Sequence, residues 1–247
     1  MGTLMKYEFR KSWKMKGIVL CVTAFFQLVF FFSILTESDD ALGIAISGLV
    51  LSAICGIFLI GVYGIHVLSK DINTKQSYML FMTPNSSYKI LGAKTLENSI
   101  SVLLAGAFFT ALAILDITLA TVKFDDIEAT LKLVQTILQE AGAELNALTF
   151  SLNMLETMVS WVFLISMGYL AVVICATLLK GNRFNGVLSL IVFFLIATLV
   201  GNATDSLQSA VGAFTPVATA VGVGFHIILT AVMYCITAWI MDNKLSV

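Results

Sequence analysis

The amino-acid sequence predicts an all-α, polytopic membrane protein, with six transmembrane helices, an N-terminal interfacial helix, a short cytoplasmic amphipathic piece and an extracellular amphipathic helix. Three observations lead there. Of the 247 residues 59% are hydrophobic and only 12% are charged, half the charged share of a soluble domain, which is about 25%. Six apolar stretches are each long enough to cross a hydrocarbon core, which takes about 20 residues of helix. Finally, the charges are sorted by side. Twelve of the fourteen Lys and Arg fall at the N-terminus, in the second and fourth connections and in the C-terminal tail. Basic loops stay in the cytoplasm, so both termini are expected inside a plasma membrane. Residues 1–247 are expected to form a single transmembrane domain.

Met1–Lys16 is expected as a helix lying in the interface. Leu4, Tyr7 and Trp13 share a face with Met5 or Phe9 at its edge, while Lys6, Glu8, Arg10 and Lys14 point to water and headgroups. Aromatic residues beside basic ones are the interfacial pattern. The spans follow at Gly17–Thr36, Leu42–Leu68, Leu96–Leu115, Leu152–Leu179, Phe184–Val200 and Pro216–Ile240. In lipid every backbone amide must be satisfied, which leaves helices or closed barrels. These runs are continuous and too long for barrel strands of about ten residues, so they are helices. The first is expected to remain uncleaved, because its apolar core is too long for a signal peptide. Gln27 is the strongly polar side chain in its middle, placed to bond a neighbouring helix or to line a pathway.

Between the second and third spans lies Ser69–Lys94, a long basic stretch with Lys70, Lys75, Lys89 and Lys94 against the one acid Asp71. At its centre Tyr78, Met79, Leu80, Phe81 and Met82 form a short amphipathic piece ended by Pro84, since proline cannot continue a helix. A simple turn needs far less chain, so this stretch reads as a docking surface for a cytoplasmic partner. The third connection, residues 116–151, is acidic and extracellular. In it Asp125-Asp126-Ile127-Glu128 resembles a helix start, and Ile127, Leu131, Val134, Leu138 and Ala141 fall at helical spacing. The fifth connection, Gly201–Thr215, reads as a loop or a shallow re-entrant turn. Small residues recur four apart at Gly48, Ser52 and Gly56 and again at Ala218 with Gly222 and Ala220 with Gly224, marking seams where helices approach closely.

Catalytic chemistry is largely missing from the sequence. It has no Gly-x-x-x-x-Gly-Lys-Ser/Thr pattern and no His-Glu-x-x-His pattern, so neither a nucleotide site nor a zinc protease site is expected. Cys21, Cys55, Cys175 and Cys235 fall inside spans and read as small hydrophobes. No metal site and no nucleic-acid surface is expected. A nucleophile pairing of Ser47 or Ser52 with His226, or a role for His66, is the weakest of the alternatives. Glu97, Asp116 and Glu156 lie near span ends and read as interfacial carboxylates.

The basic N-terminal helix with Tyr7, Phe9 and Trp13, the six spans and the stretch between spans two and three together resemble the permease subunits of bacterial ABC-2 type transporters. There Lys70-Asp71, Thr74-Lys75, Leu80-Phe81-Met82-Thr83-Pro84, Ser86-Ser87 and Ile90-Leu91-Gly92-Ala93-Lys94 follow the family's pattern of charged lead-in, apolar helix, proline, polar cap and apolar-Gly-small-Lys. The resemblance implies that Lys75, Tyr78–Met82 and Pro84 form a coupling helix resting on a separate ABC ATPase subunit. It also implies that ATP and magnesium are held by that partner and not by this chain, and that a second six-span chain completes the pathway. The expected function is export of a hydrophobic or amphipathic substrate such as a peptide, lipid-like compound or drug. A non-transporting accessory or immunity protein that docks a cytoplasmic partner is the alternative. The long outer segment lies between spans three and four, whereas family members often carry theirs between five and six.

Overall fold

The computed structural model describes residues 2–36, 38–73, 86–124, 147–178, 185–211 and 216–245. Among the described residues there are six α-helices: α1 (Gly2–Thr36), α2 (Asp39–Asn73), α3 (Ser87–Phe124), α4 (Ala147–Leu178), α5 (Asn185–Val211) and α6 (Pro216–Ile240), the last continuing into a π-helical turn, Met241–Leu245. Among the described residues there is no strand. All six helices are long and apolar enough to cross a membrane, as expected of a multi-pass membrane protein.

Three boundaries differ from expectation. Residues 2–16 are not a separate element, because α1 runs unbroken through Lys16 and Gly17. Lys, Arg and Glu are good helix formers, so nothing in that stretch stops the helix. The stems of the Ser69–Lys94 stretch are likewise helical, residues 69–73 closing α2 and Ser87–Lys94 opening α3. Gly201–Val211 is neither loop nor re-entrant turn but the C-terminal part of α5. Its hydroxyls bond back to their own helix, Thr204 to the Val200 carbonyl at 2.9 Å and Ser206 to the Asn202 carbonyl at 2.7 Å, which lets polar residues remain helical. The extracellular helix expected around Ile127–Ala141 lies outside the described residues, although residues 116–124 belong to α3.

The chain divides into two compact units. One comprises Met1–Phe9, Gly61–Ser99 and Asn146–Val247, the other Arg10–Ile60 and Ile100–Leu145. In the first unit α4 is the central helix. One side of it, Ile165, Tyr169, Val172, Val173 and Ala176, packs on Leu68 and Ile72 of α2, Leu91 of α3 and Ala238 and Met241. The other side, Phe163, Met167 and Leu170, packs on Met233 of α6 with Phe193, Ile196 and Val200 of α5 against it. A helix that is apolar all round is a buried helix, and α4 is the most buried of the six.

In the second unit the small-residue row of α2 is a seam within the chain. A methyl group at Gly48 would meet the Phe26 ring of α1, and one at Gly56 would meet Val19 of α1 at 2.7 Å and Phe109 of α3 at 3.3 Å. The carboxamide of Gln27 joins α1 to α3 by donating from Nε2 to Asp116 Oδ1. Phe25, Leu28 and Phe32 of α1 and Val50, Ile54 and Phe58 of α2 are exposed in this unit, as Phe194 and Leu199 of α5 are in the first.

Candidate functional site

The most polar buried place in the first unit lies where three helix ends meet. Lys94, in the second turn of α3, donates from Nζ to Glu8 Oε1 of α1 at 2.8 Å and to Asp71 Oδ2 of α2 at 2.7 Å. The three residues are 2%, 5% and 4% exposed. One ammonium therefore holds two carboxylates away from water. Bringing ions together in low dielectric only balances their lost hydration when the geometry is close, and both bonds here are short. Charge-assisted bonds of this kind are about twice as strong as neutral ones.

This overturns two expectations. Glu8 does not face headgroups with Lys6, Arg10 and Lys14, which are exposed; it turns inward because its partner is there. Lys94 is not a surface docking charge, because α3 already begins at Ser87 and carries it into the core. Tyr7 and Trp13 are exposed and Phe9 is half-buried. Lys75, Tyr78, Met79, Leu80, Phe81, Met82 and Pro84 lie outside the described residues.

Around the triad the packing is close and takes in further polar groups. Glu97, Asn98 and Ser101 of α3 are buried. Asn98 Nδ2 donates to the Gly61 carbonyl of α2 at 2.9 Å. A methyl group at Gly64, one turn further, would strike the same carboxamide, so the close approach of α2 and α3 requires glycine there. The Tyr169 hydroxyl is buried beside Asn98 and donates towards its carboxamide, and it lies within electrostatic reach of Glu97 and Glu8.

The start of α3 is tied down from the other end of the chain as well. The Ser87 amide donates to Asp242 Oδ1 at 3.3 Å, and Tyr234 donates its hydroxyl hydrogen to the Tyr88 carbonyl at 2.6 Å. Both stems flanking residues 74–85 are thus fixed, α2 through Leu68, Asp71 and Ile72, and α3 through Ser87, Tyr88, Leu91 and Lys94.

A second polar cluster sits among α4, α5 and α6. Each helix contributes residues four apart: Glu156 and Ser160, Thr204 and Gln208, Gly222 and His226. The imidazole of His226 has Ser160 Oγ 3.5 Å from Nδ1 and Thr204 Oγ1 3.5 Å from Nε2, and it stacks on Phe163 with centroids 4.9 Å apart. A methyl group at Gly222 would meet Gln208 Nε2 at 2.5 Å and Glu156 Oε1 at 3.8 Å. The hydroxyls of Ser47 and Ser52 instead donate to carbonyls of their own helix, those of Ile44 and Leu49. Among the described residues no group of three His, Cys, Asp or Glu is placed to hold a metal ion.

Comparison of the chain with protein-family models, with curated proteins and with solved structures found no match.

Proposed function

We propose that this chain is the permease subunit of an ATP-driven exporter of the ABC-2 type, set in a bacterial plasma membrane with both termini cytoplasmic. The observation that carries the proposal is the anchoring of both stems of the basic stretch. A surface that receives force from a partner must be attached to something stiff, and interiors as close-packed as organic crystals transmit strain. The stems of residues 74–85 enter the best-packed part of the first unit. The Glu8–Lys94–Asp71 triad joins them to each other and to the start of α1. Displacement of the stretch between them would therefore be passed to the start of α1, the end of α2 and the start of α3 together, and through Leu68, Ile72 and Leu91 to α4.

In this proposal Lys75, Tyr78–Met82 and Pro84 form the coupling helix on an ABC ATPase, which holds ATP and magnesium. Tyr7, Phe9 and Trp13 seat the start of α1 in the membrane interface. The pathway forms with a second six-span chain, and the cargo is hydrophobic or amphipathic. Gln27, bonded to Asp116, joins α1 to α3.

The test is co-purification. Phe81→Asp, or deletion of Tyr78–Met82, is expected to abolish recovery of an ATPase subunit while leaving membrane insertion intact. Undiminished ATPase recovery would refute the proposal. Recovery of a partner without ATP-dependent flux in vesicles would instead favour a non-transporting accessory protein.

A further inference from the structure

The cluster around His226 has no part in the coupling scheme, yet its chemistry is specific. The segments Ala147–Leu178, Asn185–Val211 and Pro216–Ile240 contain no Lys or Arg. Glu156 is therefore a carboxylate in a bundle where His226 is the one side chain able to carry positive charge near neutral pH. A lone ionised group at membrane depth is costly, and such groups face the bundle interior and pair with one another. Glu156 lies within electrostatic reach of His226, and its Oε1 lies beside Gly222, one turn before His226 on α6.

The hydrogen bonds fix the ring's state further. Thr204 gives its hydroxyl hydrogen to the Val200 carbonyl at 2.9 Å, so towards Nε2 it can only accept. This arrangement favours the neutral tautomer with its hydrogen on Nε2, which leaves Nδ1 as the acceptor facing the Ser160 hydroxyl. A proton arriving from solvent binds Nδ1. No other bond needs to break, because the Ser160 hydroxyl rotates to present its lone pair. The cation so formed has two hydroxyl oxygens beside it and the carboxylate of Glu156 within electrostatic reach, and the Phe163 face stacked on it favours a cation as well.

We propose that His226 and Glu156 form a proton-binding pair inside the α4–α5–α6 bundle, the imidazolium taking Glu156 as counter-ion and Ser160 and Thr204 as acceptors. The proposal does not depend on the transport function. Glu156 is the ionisable group facing His226 from α4. On α5 Asp205 is exposed, and on α6 the next ionisable groups, Tyr234 and Cys235, lie two turns away. Proton occupancy converts a hydrogen-bonded seam among three helices into an ion-paired one. The packing of α4 on α6 thereby responds to the pH of the compartment that the seam meets.

The test uses the full chain in lipid nanodiscs with ¹⁵N-labelled histidine. There are two histidines, and exposed His66 is the internal reference, assigned with His66→Gln. Ring-nitrogen shifts followed over roughly pH 5–8, the range in which histidine titrates, report protonation directly. The His226 ring is expected to take up a proton in this range, and Glu156→Gln is expected to lower its proton affinity by about tenfold, one pKa unit, while the His66 signal is the same in both proteins. Should that variant fail to fold, Glu156→Asp carries the same test through a smaller, few-fold fall. A His226 signal that does not change over the range, or that titrates alike with and without the Glu156 change, overturns the proposal.

Discussion

At the scale of residues, the buried ion triad makes Lys94 the side chain whose loss should be felt most. Lys94→Ala leaves two carboxylates in the core without their ammonium, and breaking a buried pair from one side costs about 3–5 kcal/mol. The expected outcome is a correspondingly lowered unfolding midpoint in detergent. Replacing all three residues by apolar ones, Glu8→Met with Asp71→Leu and Lys94→Met, should restore most of that loss, because no charge is then stranded. A triple variant as unstable as Lys94→Ala would contradict it. The sequence held a hint of this arrangement. Glu8 is the one acid in the first sixteen residues, and Asp71 is the one acid in Ser69–Lys94. Charge patterning reports which side of a membrane a segment occupies, and not which charges meet. Lys94 and Glu8 are separated by 86 residues, a pairing that no local pattern encodes. The His226 cluster was hidden for the same reason, since its three pairs of residues belong to three helices.

At the scale of elements, all six spans were legible because a run of about 20 apolar residues has few alternatives in lipid. Their lengths were not. α1 and α2 have 35 residues each and α3 has 38, well beyond what a hydrocarbon core needs. Hydropathy marks where a helix is in lipid, whereas its polar extensions persist because adding residues such as Lys, Arg and Glu to a turn already formed is favourable. The small-residue row Gly48, Ser52 and Gly56 was recognisable as a seam, but its partners, Phe26, Val19 and Phe109, were not. Gly64 did not stand out in the sequence at all. Gly64→Ala should push the Asn98 carboxamide off the Gly61 carbonyl and leave a buried polar group unsatisfied, a cost of about 1–3 kcal/mol. Thermal unfolding of the variant should show it, and adding Asn98→Ala, which removes the clashing carboxamide, should recover part of the loss. An unchanged midpoint in Gly64→Ala would mean that α2 and α3 are free to separate.

At the scale of the whole molecule, the sorted charges give a definite orientation to check. A fluorescent reporter joined after Val247 is expected to fold and fluoresce in the cytoplasm, and a phosphatase joined within residues 125–146 is expected to be active on the other side. The reverse pattern would place the basic stretch away from any cytoplasmic ATPase. The triad also sets an order on biogenesis. Glu8 leaves the ribosome 86 residues before Lys94. At roughly 5–20 residues per second the acid waits on the order of ten seconds for its base, through the making of α1 and α2. A chain halted before α3 therefore has neither of the two bonds that Lys94 makes, and the ends of α1 and α2 gain their shared cation only once α3 has begun.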